Sequence, residues 1–143
     1  MKVADILRRK GANVVFITPG ASVIDALHIM EEKNIGSVVV MENSQYKGIV
    51  TERDYSRKVI LKGKNSSDTP VSEIMTTDLP AVSPDDSIDK CMELMSNKHI
   101  RYLPVFDGGG QLAGIISMSD VVGAKLIRQQ ETISHLEKYI SGS

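Results

Sequence analysis

The chain has 143 residues, 41% of them apolar, and a formal charge of -1. That is the size and make-up of one compact domain with a real core, and the near-neutral charge gives no bulk electrostatic case for nucleic acid or an anionic membrane. One cysteine, Cys91, excludes an internal disulfide framework and suits a reducing compartment, and no apolar run approaches the ~20 residues that cross a bilayer. The opening Met1-Lys2-Val3-Ala4-Asp5 lacks the apolar core of a signal peptide, so a soluble, cytoplasmic protein is expected.

The elements follow in chain order. Val14 to Ile17 is a short aliphatic stretch that stops at Thr18-Pro19, a turn into a helix. Ser22 and Asp25 have capping-box spacing, and Val23, Ala26, Leu27 and Met30 recur at helical intervals. Ile35 to Val40 reads as a strand, Glu42 to Gln45 as a hairpin turn and Lys47 to Thr51 as the return strand. A helix begins near Asp54, and Lys62 to Pro70 is a polar linker. Ala81-Val82 then ends at Ser83-Pro84, and Ile88, Cys91, Met92 and Met95 mark a helix. Tyr102 to Phe106 and Leu112 to Ser117 read as strands around an Asp107-Gly108-Gly109-Gly110 turn, and another helix starts near Asp120. Pro104 inside a strand predicts an edge, or a position whose missing N–H faces no neighbour. Ala124 to Ile140 reads as a longer helix, with Leu126, Ile133, Leu136 and Ile140 along one side and Gln129 in the seam. That stripe needs cover from another subunit or from its own domain.

The order strand, helix, strand, strand, helix occurs twice. Thr18-Pro19 aligns with Ser83-Pro84 at an offset of 65, and Met30, Lys33, Ile35 and Val40 fall on Met95, Lys98, Ile100 and Val105. One extra residue within Gly108 to Ala113 shifts the offset to 66, which sets Gly48-Ile49-Val50-Thr51-Glu52-Arg53-Asp54 against Gly114-Ile115-Ile116-Ser117-Met118-Ser119-Asp120. Val3-Ala4-Asp5-Ile6-Leu7 also resembles Val71-Ser72-Glu73-Ile74-Met75. Two copies are too few for a solenoid, and a pseudo-twofold pair is the economical arrangement. The expected division is 1–64 for the first repeat with its N-terminal helix, 65–123 for the second and 124–143 for a helical extension.

The duplicated motif has a chemical reading. A strand that ends at Thr51 or Ser117 and runs straight into a helix presents free backbone N–H groups, which favour an anion such as phosphate. An ionised aspartate three residues on accepts two hydrogen bonds, as the cis-diol of a ribose requires. The alternative reading is that each hydroxyl–aspartate pair is a helix cap, since duplication copies caps as readily as sites. Gly48 and Gly114 allow close backbone approach or simply start the return strand.

The two motifs, their shared register and the stretch His99-Ile100-Arg101-Tyr102-Leu103-Pro104-Val105-Phe106-Asp107 resemble a tandem pair of cystathionine-β-synthase (CBS) domains, also called a Bateman module, over essentially the whole chain. The resemblance implies an α/β (α+β) fold of two βαββα repeats packed by their sheets about a pseudo-twofold axis. It also implies clefts for an adenosyl ligand: AMP, ADP, ATP, NAD(H) or S-adenosylmethionine. Carried onto this sequence, Asp54 and Asp120 stand at ribose-binding positions, and Thr51 and Ser117 at phosphate-contacting ones. Thr18 and Ser83 border the nucleoside. Ile35, Gly36, Ser37 and Val38, with Ile100, Arg101, Tyr102 and Pro104, form the wall beside the base. Arg101 stands at a position aimed at phosphate, and Arg53, between Thr51 and Asp54, could do the same; the alternative for either is a solvated surface charge or a salt-bridge partner, and Ser119 stands where the first copy has Arg53. A disc-like homodimer is implied as well.

Other signals carry no chemistry. His28, His99 and His135 are scattered without ligand spacing, so no metal site is expected. Cys91 sits at a core-facing helical position, where a small apolar residue belongs. With no base–nucleophile pair in view, the expected function is regulatory and not enzymatic. The chain would sense adenine nucleotides as a signal of energy or redox state and modulate an unidentified partner protein. The alternative is a constitutive dimeric interaction module without a functional ligand site.

Overall fold

A computed structural model describes residues 1–11 and 13–141. The described chain is a mixed helix and strand fold that divides into two compact units, Val14–Leu79 and Met1–Asn13 together with Pro80–Ser143.

The first repeat forms a three-stranded sheet. β1 (Phe16–Ile17) runs parallel to β2 (Ser37–Glu42), which pairs antiparallel with β3 (Gln45–Thr51). Asn43 and Ser44 take positive φ values of 52° and 63°, as a two-residue turn matched to the strand twist requires. Between the first two strands lies α2 (Val23–Lys33), capped by Ser22, whose hydroxyl accepts from Asp25 N at 3.2 Å. After β3 the chain enters α3 (Glu52–Tyr55), which widens into a π-helical turn over Ser56–Ile60. The core of this unit is Val23, Ala26, Met30, Val38, Val40, Val50 and Val59, joined by Val71 and Ile74.

The second repeat follows the same plan with α4 (Ile88–Lys98), β4 (Tyr102–Phe106) and β5 (Leu112–Ser117). Ser87 caps α4 by accepting from Lys90 N, and His99 ends it in the left-handed region, as Asn34 ends α2. The expected first strand shrinks to a single bridge, Val82 with Val105. Pro104 accounts for this. Its counterpart Val39 donates its N–H to Val15 O, whereas proline has no proton to give the equivalent carbonyl. Pro104 is therefore not at an open edge: its carbonyl accepts from Val82 N, and it pairs with Ile115 on the other side.

Two helices cross the linear division of the chain. The helix near Asp120 and the extension from Ala124 are one continuous helix, α5 (Met118–Ser141), because no glycine or proline stop separates them beyond Gly123, which helix tolerates. The N-terminal helix α1 (Val3–Lys10) belongs to the compact unit of the second repeat, where Val3 and Ile6 are buried with Ile88, Leu103 and Ile116. Its sequence counterpart, Val71–Glu73 and Ile74, fills the same place in the unit of the first repeat. Each copy thus lends its leading segment to the other copy's core, a crossing that linear repeat boundaries cannot show.

Candidate functional site

In each unit the hairpin brings the motif beside the predicted wall. Thr51 pairs with Ser37, and Glu52 N donates to Gly36 O at 3.2 Å. Ser117 pairs with Tyr102, and Met118 N donates to Arg101 O at 2.8 Å. Ile35, Gly36 and Ser37 are half-buried and Val38 is buried; Ile100 and Tyr102 are half-buried, Pro104 is buried, and Arg53, Arg101 and Ser119 are exposed. Thr18 and Ser83 are not gathered with the motif of their own unit. Ile17 aligns with Val40, three residues along β2 from the Ser37–Thr51 pair, about 10 Å at strand rise. Val82 is likewise set against Val105, three residues from the Tyr102–Ser117 pair.

Both hydroxyl–aspartate pairs close as reciprocal helix caps. Thr51 Oγ1 accepts from Asp54 N at 3.1 Å, and Asp54 Oδ2 accepts from Thr51 N at 3.0 Å. Ser117 Oγ accepts from Asp120 N at 3.1 Å, and Asp120 Oδ2 accepts from Ser117 N at 2.9 Å. The sequence-level alternative of a cap is therefore physically present in both copies.

Beyond the caps the two carboxylates differ. Asp54 is buried, with only 7% of its side chain exposed. Its Oδ2 also accepts from Thr51 Oγ1 at 3.0 Å, while Oδ1 accepts from Thr76 Oγ1 and pairs with Lys58 Nζ, both at 2.9 Å. Lys58 Nζ is further fixed on Ile74 O at 2.9 Å. A diol could reach Asp54 only by displacing these donors. Asp120 keeps 25% of its side chain exposed, and its ion pair is with Lys10 of α1, Nζ to Oδ2 at 2.7 Å. Lys10 Nζ also donates to Ile115 O at 2.8 Å. Burial acts to raise the Asp120 carboxyl, but the Lys10 hydrogen bond and the Ser117 N–H outweigh it, so its pKa lies below the ordinary carboxylate range. Neither lysine was singled out from sequence as a partner of the motif. Lys10 is more than a hundred positions from Asp120, and only the exchange of leading segments brings them together.

The glycines of the motif have a definite task. A Cβ on Gly48 would lie 2.7 Å from Thr76 O, and one on Gly114 would lie 2.7 Å from Leu7 Cδ2. The close approach they permit is to the leading segment in each unit, paired through Ile49 and Thr76 in the first.

Ile35 and Gly36 also line a groove of ≈ 570 Å³ with Leu27, Met30, Tyr55 and Glu52. Thr51 and Asp54 do not line it. Its acidic lining, Glu31 and Glu52, opposes a phosphate. Among the described residues no group of three or more His, Cys, Asp or Glu side chains is placed to hold a metal ion. No described helix is long and apolar enough to cross a membrane.

Comparison with known proteins agrees with this architecture. The family model for the CBS domain matches twice, over residues 3–60 and 71–127. A solved protein with CBS domains from Burkholderia ambifaria MC40-6 superposes with a TM-score of 0.85 at 42% identity, covering 90% of this chain and 96% of that one. A CBS-domain containing protein from Agrobacterium tumefaciens gives 0.82 at 37% identity over 87% of this chain and 99% of its own. The mitochondrial CBS domain-containing protein CBSX3 of Arabidopsis thaliana is 35% identical over 98% of this chain and 72% of its own length.

Proposed function

Because this chain belongs to the CBS-domain family and carries two CBS domains, we propose that it is a regulatory module that binds an adenine nucleotide or related adenosyl ligand and acts on a partner protein. The observation that carries the reading is the Asp120 carboxylate. It stands at a strand-to-helix junction beside the half-buried wall of Ile100 and Tyr102, ionised and a quarter exposed. A ribose diol would exchange with the Lys10 ammonium there. Ser117 and Arg101 lie at the same junction, one to donate a hydroxyl and the other a guanidinium to phosphate. The module carries no catalytic apparatus in this reading: its output is a shift between states that the ligand favours unequally. It works as a homodimer, supported by the apolar side chains that α5 leaves exposed.

A second reading has its own support. Asp54 is buried and fully engaged by Thr51, Thr76 and Lys58, which is what a structural cap looks like. On that reading both junctions are caps and the protein is a constitutive interaction module.

Thermal unfolding with AMP, ADP, ATP, NAD(H) and S-adenosylmethionine separates the two. A ligand at 100 times its dissociation constant stabilises the fold by about 2.7 kcal/mol, a readily measured rise in Tm. Absence of any shift at millimolar ligand across this panel would leave only the interaction module.

A further inference from the structure

α5 outlasts the domain it belongs to. Its first turns bury Val121 and Ala124, but from Leu126 to Ser141 every residue except the half-buried Ser134 is exposed. Arg128 and Glu131 line a groove with Asp5, Arg8 and Arg9 of α1, but the apolar stripe on the other side is uncovered, and helix stability in water comes mostly from packing of such a face. The sequence specifies what would cover it. Val122, Leu126, Gln129, Ile133, Leu136 and Ile140 follow one another at alternating steps of four and three, the heptad d-a-d-a-d-a. This seam is distinct from the positions of Val121 and Ala124, which face the helix's own core. Val122 is 39% exposed, Leu126 60%, Ile133 47%, Leu136 57% and Ile140 75%. Arg128, Glu131, His135 and Lys138 occupy the outer positions, as the wet face of a two-stranded coil requires.

We propose that α5 pairs with α5 of a second copy as a parallel, two-stranded coiled coil over residues 122–140. The proposal deepens the homodimer reading given above, and rests on it. Three features of the seam select this occupant. In the last three layers Ile133 and Ile140 at a with Leu136 at d is the pattern that favours two parallel strands over three or four, whereas Val122 at d and Leu126 at a do not add to it. Gln129 is the one polar residue in the seam. A parallel, in-register pair sets it against its own copy, where two amides satisfy each other. An antiparallel pair would set it against Ile133 and leave it without a partner in an apolar layer. The flanking positions carry no like-charge pair in the parallel register: Lys125, held by Asp89 of its own unit at 2.8 Å, stands opposite Gln130, and Thr132 stands opposite Glu137. Six layers over about 27 Å of helix result, at a rise of about 1.5 Å per residue.

Sedimentation velocity of the full chain over a wide concentration range is the first measurement, beside Ile133→Glu/Leu136→Glu. Both positions are exposed on the helix, so the dilute, monomeric domain should keep its Tm, and only the concentration-dependent part of the wild-type Tm should be lost. The double variant is expected to weaken dimerisation by about a hundredfold or more and to lower the helical circular dichroism. Gln129→Cys, under mild oxidation, is expected to form an inter-chain disulfide, since Cys91 is buried and does not compete. A dimer that is indifferent to the double variant overturns the coiled coil and leaves the homodimer reading standing. A wild-type chain that is monomeric throughout overturns both and gives the seam to a different protein. A dimer that fails to cross-link through Gln129→Cys, yet does so as Gln129→Cys/Ile133→Cys, overturns the parallel register.

Discussion

The same substitution made in the two copies should have unequal consequences. In Gly48→Ala the new methyl lies 2.7 Å from the carbonyl oxygen of Thr76 and 3.2 Å from Met75 Sδ. That carbonyl belongs to backbone and is already engaged by Ile49 N at 3.0 Å, while Thr76 N donates back to Ile49 O at 2.8 Å. Relief requires the Ile49–Thr76 pair to part by several tenths of an ångström, and Thr76 Oγ1 is pulled from Asp54 with it. Overpacking against fixed atoms costs about 1–3 kcal/mol, and the smaller conformational freedom of the unfolded chain returns about 0.4–1. A net loss of about 1–2 kcal/mol is expected. In Gly114→Ala the methyl meets only Leu7 Cδ2 at 2.7 Å, the far end of a flexible side chain. A rotamer adjustment of about 0.5–1.5 kcal/mol nearly cancels against the unfolded-state gain, so the net change should fall within about 1 kcal/mol of zero. Urea denaturation of both variants reads these values from the midpoint, provided the slope m is unchanged. Equal losses in the two variants, or a neutral Gly48→Ala, would refute the assignment of Gly48 to backbone packing.

Three further outcomes follow from the site. Asp54→Ala should cost about 2–3 kcal/mol of stability, since it strands Thr76 and Lys58, whereas Asp120→Ala should cost about 1 kcal/mol and reduce nucleotide affinity by about tenfold or more; calorimetric titration beside the denaturation midpoint distinguishes them, and the reverse pattern counts against the reading. The Asp120 carboxyl is depressed in the folded state, so it contributes stability that is complete above the ordinary value of about 3.9 and is lost as pH falls through its folded pKa. Lys10→Met removes the largest of the lowering contacts and should move the acid limb of stability to higher pH; an unchanged limb in urea midpoints across pH would show that Lys10 does not hold this group. Cys91 is buried, which raises its thiol to about 11, so iodoacetamide should label it only at the rate of unfolding; rapid labelling of the native protein would contradict its core placement.

The fold was legible wherever local chemistry determined it. Alternation and turn residues located both hairpins, and Ser22 and the periodic Val23, Ala26 and Met30 located α2. The short first strand of the second repeat was overestimated, because the loss of one N–H at Pro104 acts across the sheet and not along the chain. The exchange of leading segments was hidden for a related reason. Val3 to Leu7 resembles Val71 to Met75, and that likeness shows equivalent roles without showing which core each segment enters. At the site, the motif's partners within three residues were readable and its partners from elsewhere were not. Lys58 sits one helical turn from Asp54, at the spacing of an ion pair, and that spacing is the signal that could have found it. Lys10 had no signal at all, for its contact with Asp120 depends on the exchanged helix.

The same exchange explains how one motif reached two different chemical states. In both copies the hydroxyl and the aspartate cap each other, so the cap alone cannot distinguish the halves. The difference lies in what the leading segment brings. To Asp54 it brings Thr76, a short side chain held by a backbone pair to Ile49, so that beside the half-exposed Lys58 the carboxylate has one donor that cannot withdraw without parting the Ile49–Thr76 pair. To Asp120 it brings Lys10, a long and half-exposed side chain from the last turn of a helix. An ammonium on a flexible stem can leave for water at modest cost, since an ion pair of this exposure is worth about a kcal/mol or less. On the proposed ligand-binding reading Asp120 is therefore the carboxylate open to a diol, and the second repeat is where ligand titrations of the Lys10 and Asp120 variants should first diverge from those of Lys58 and Asp54.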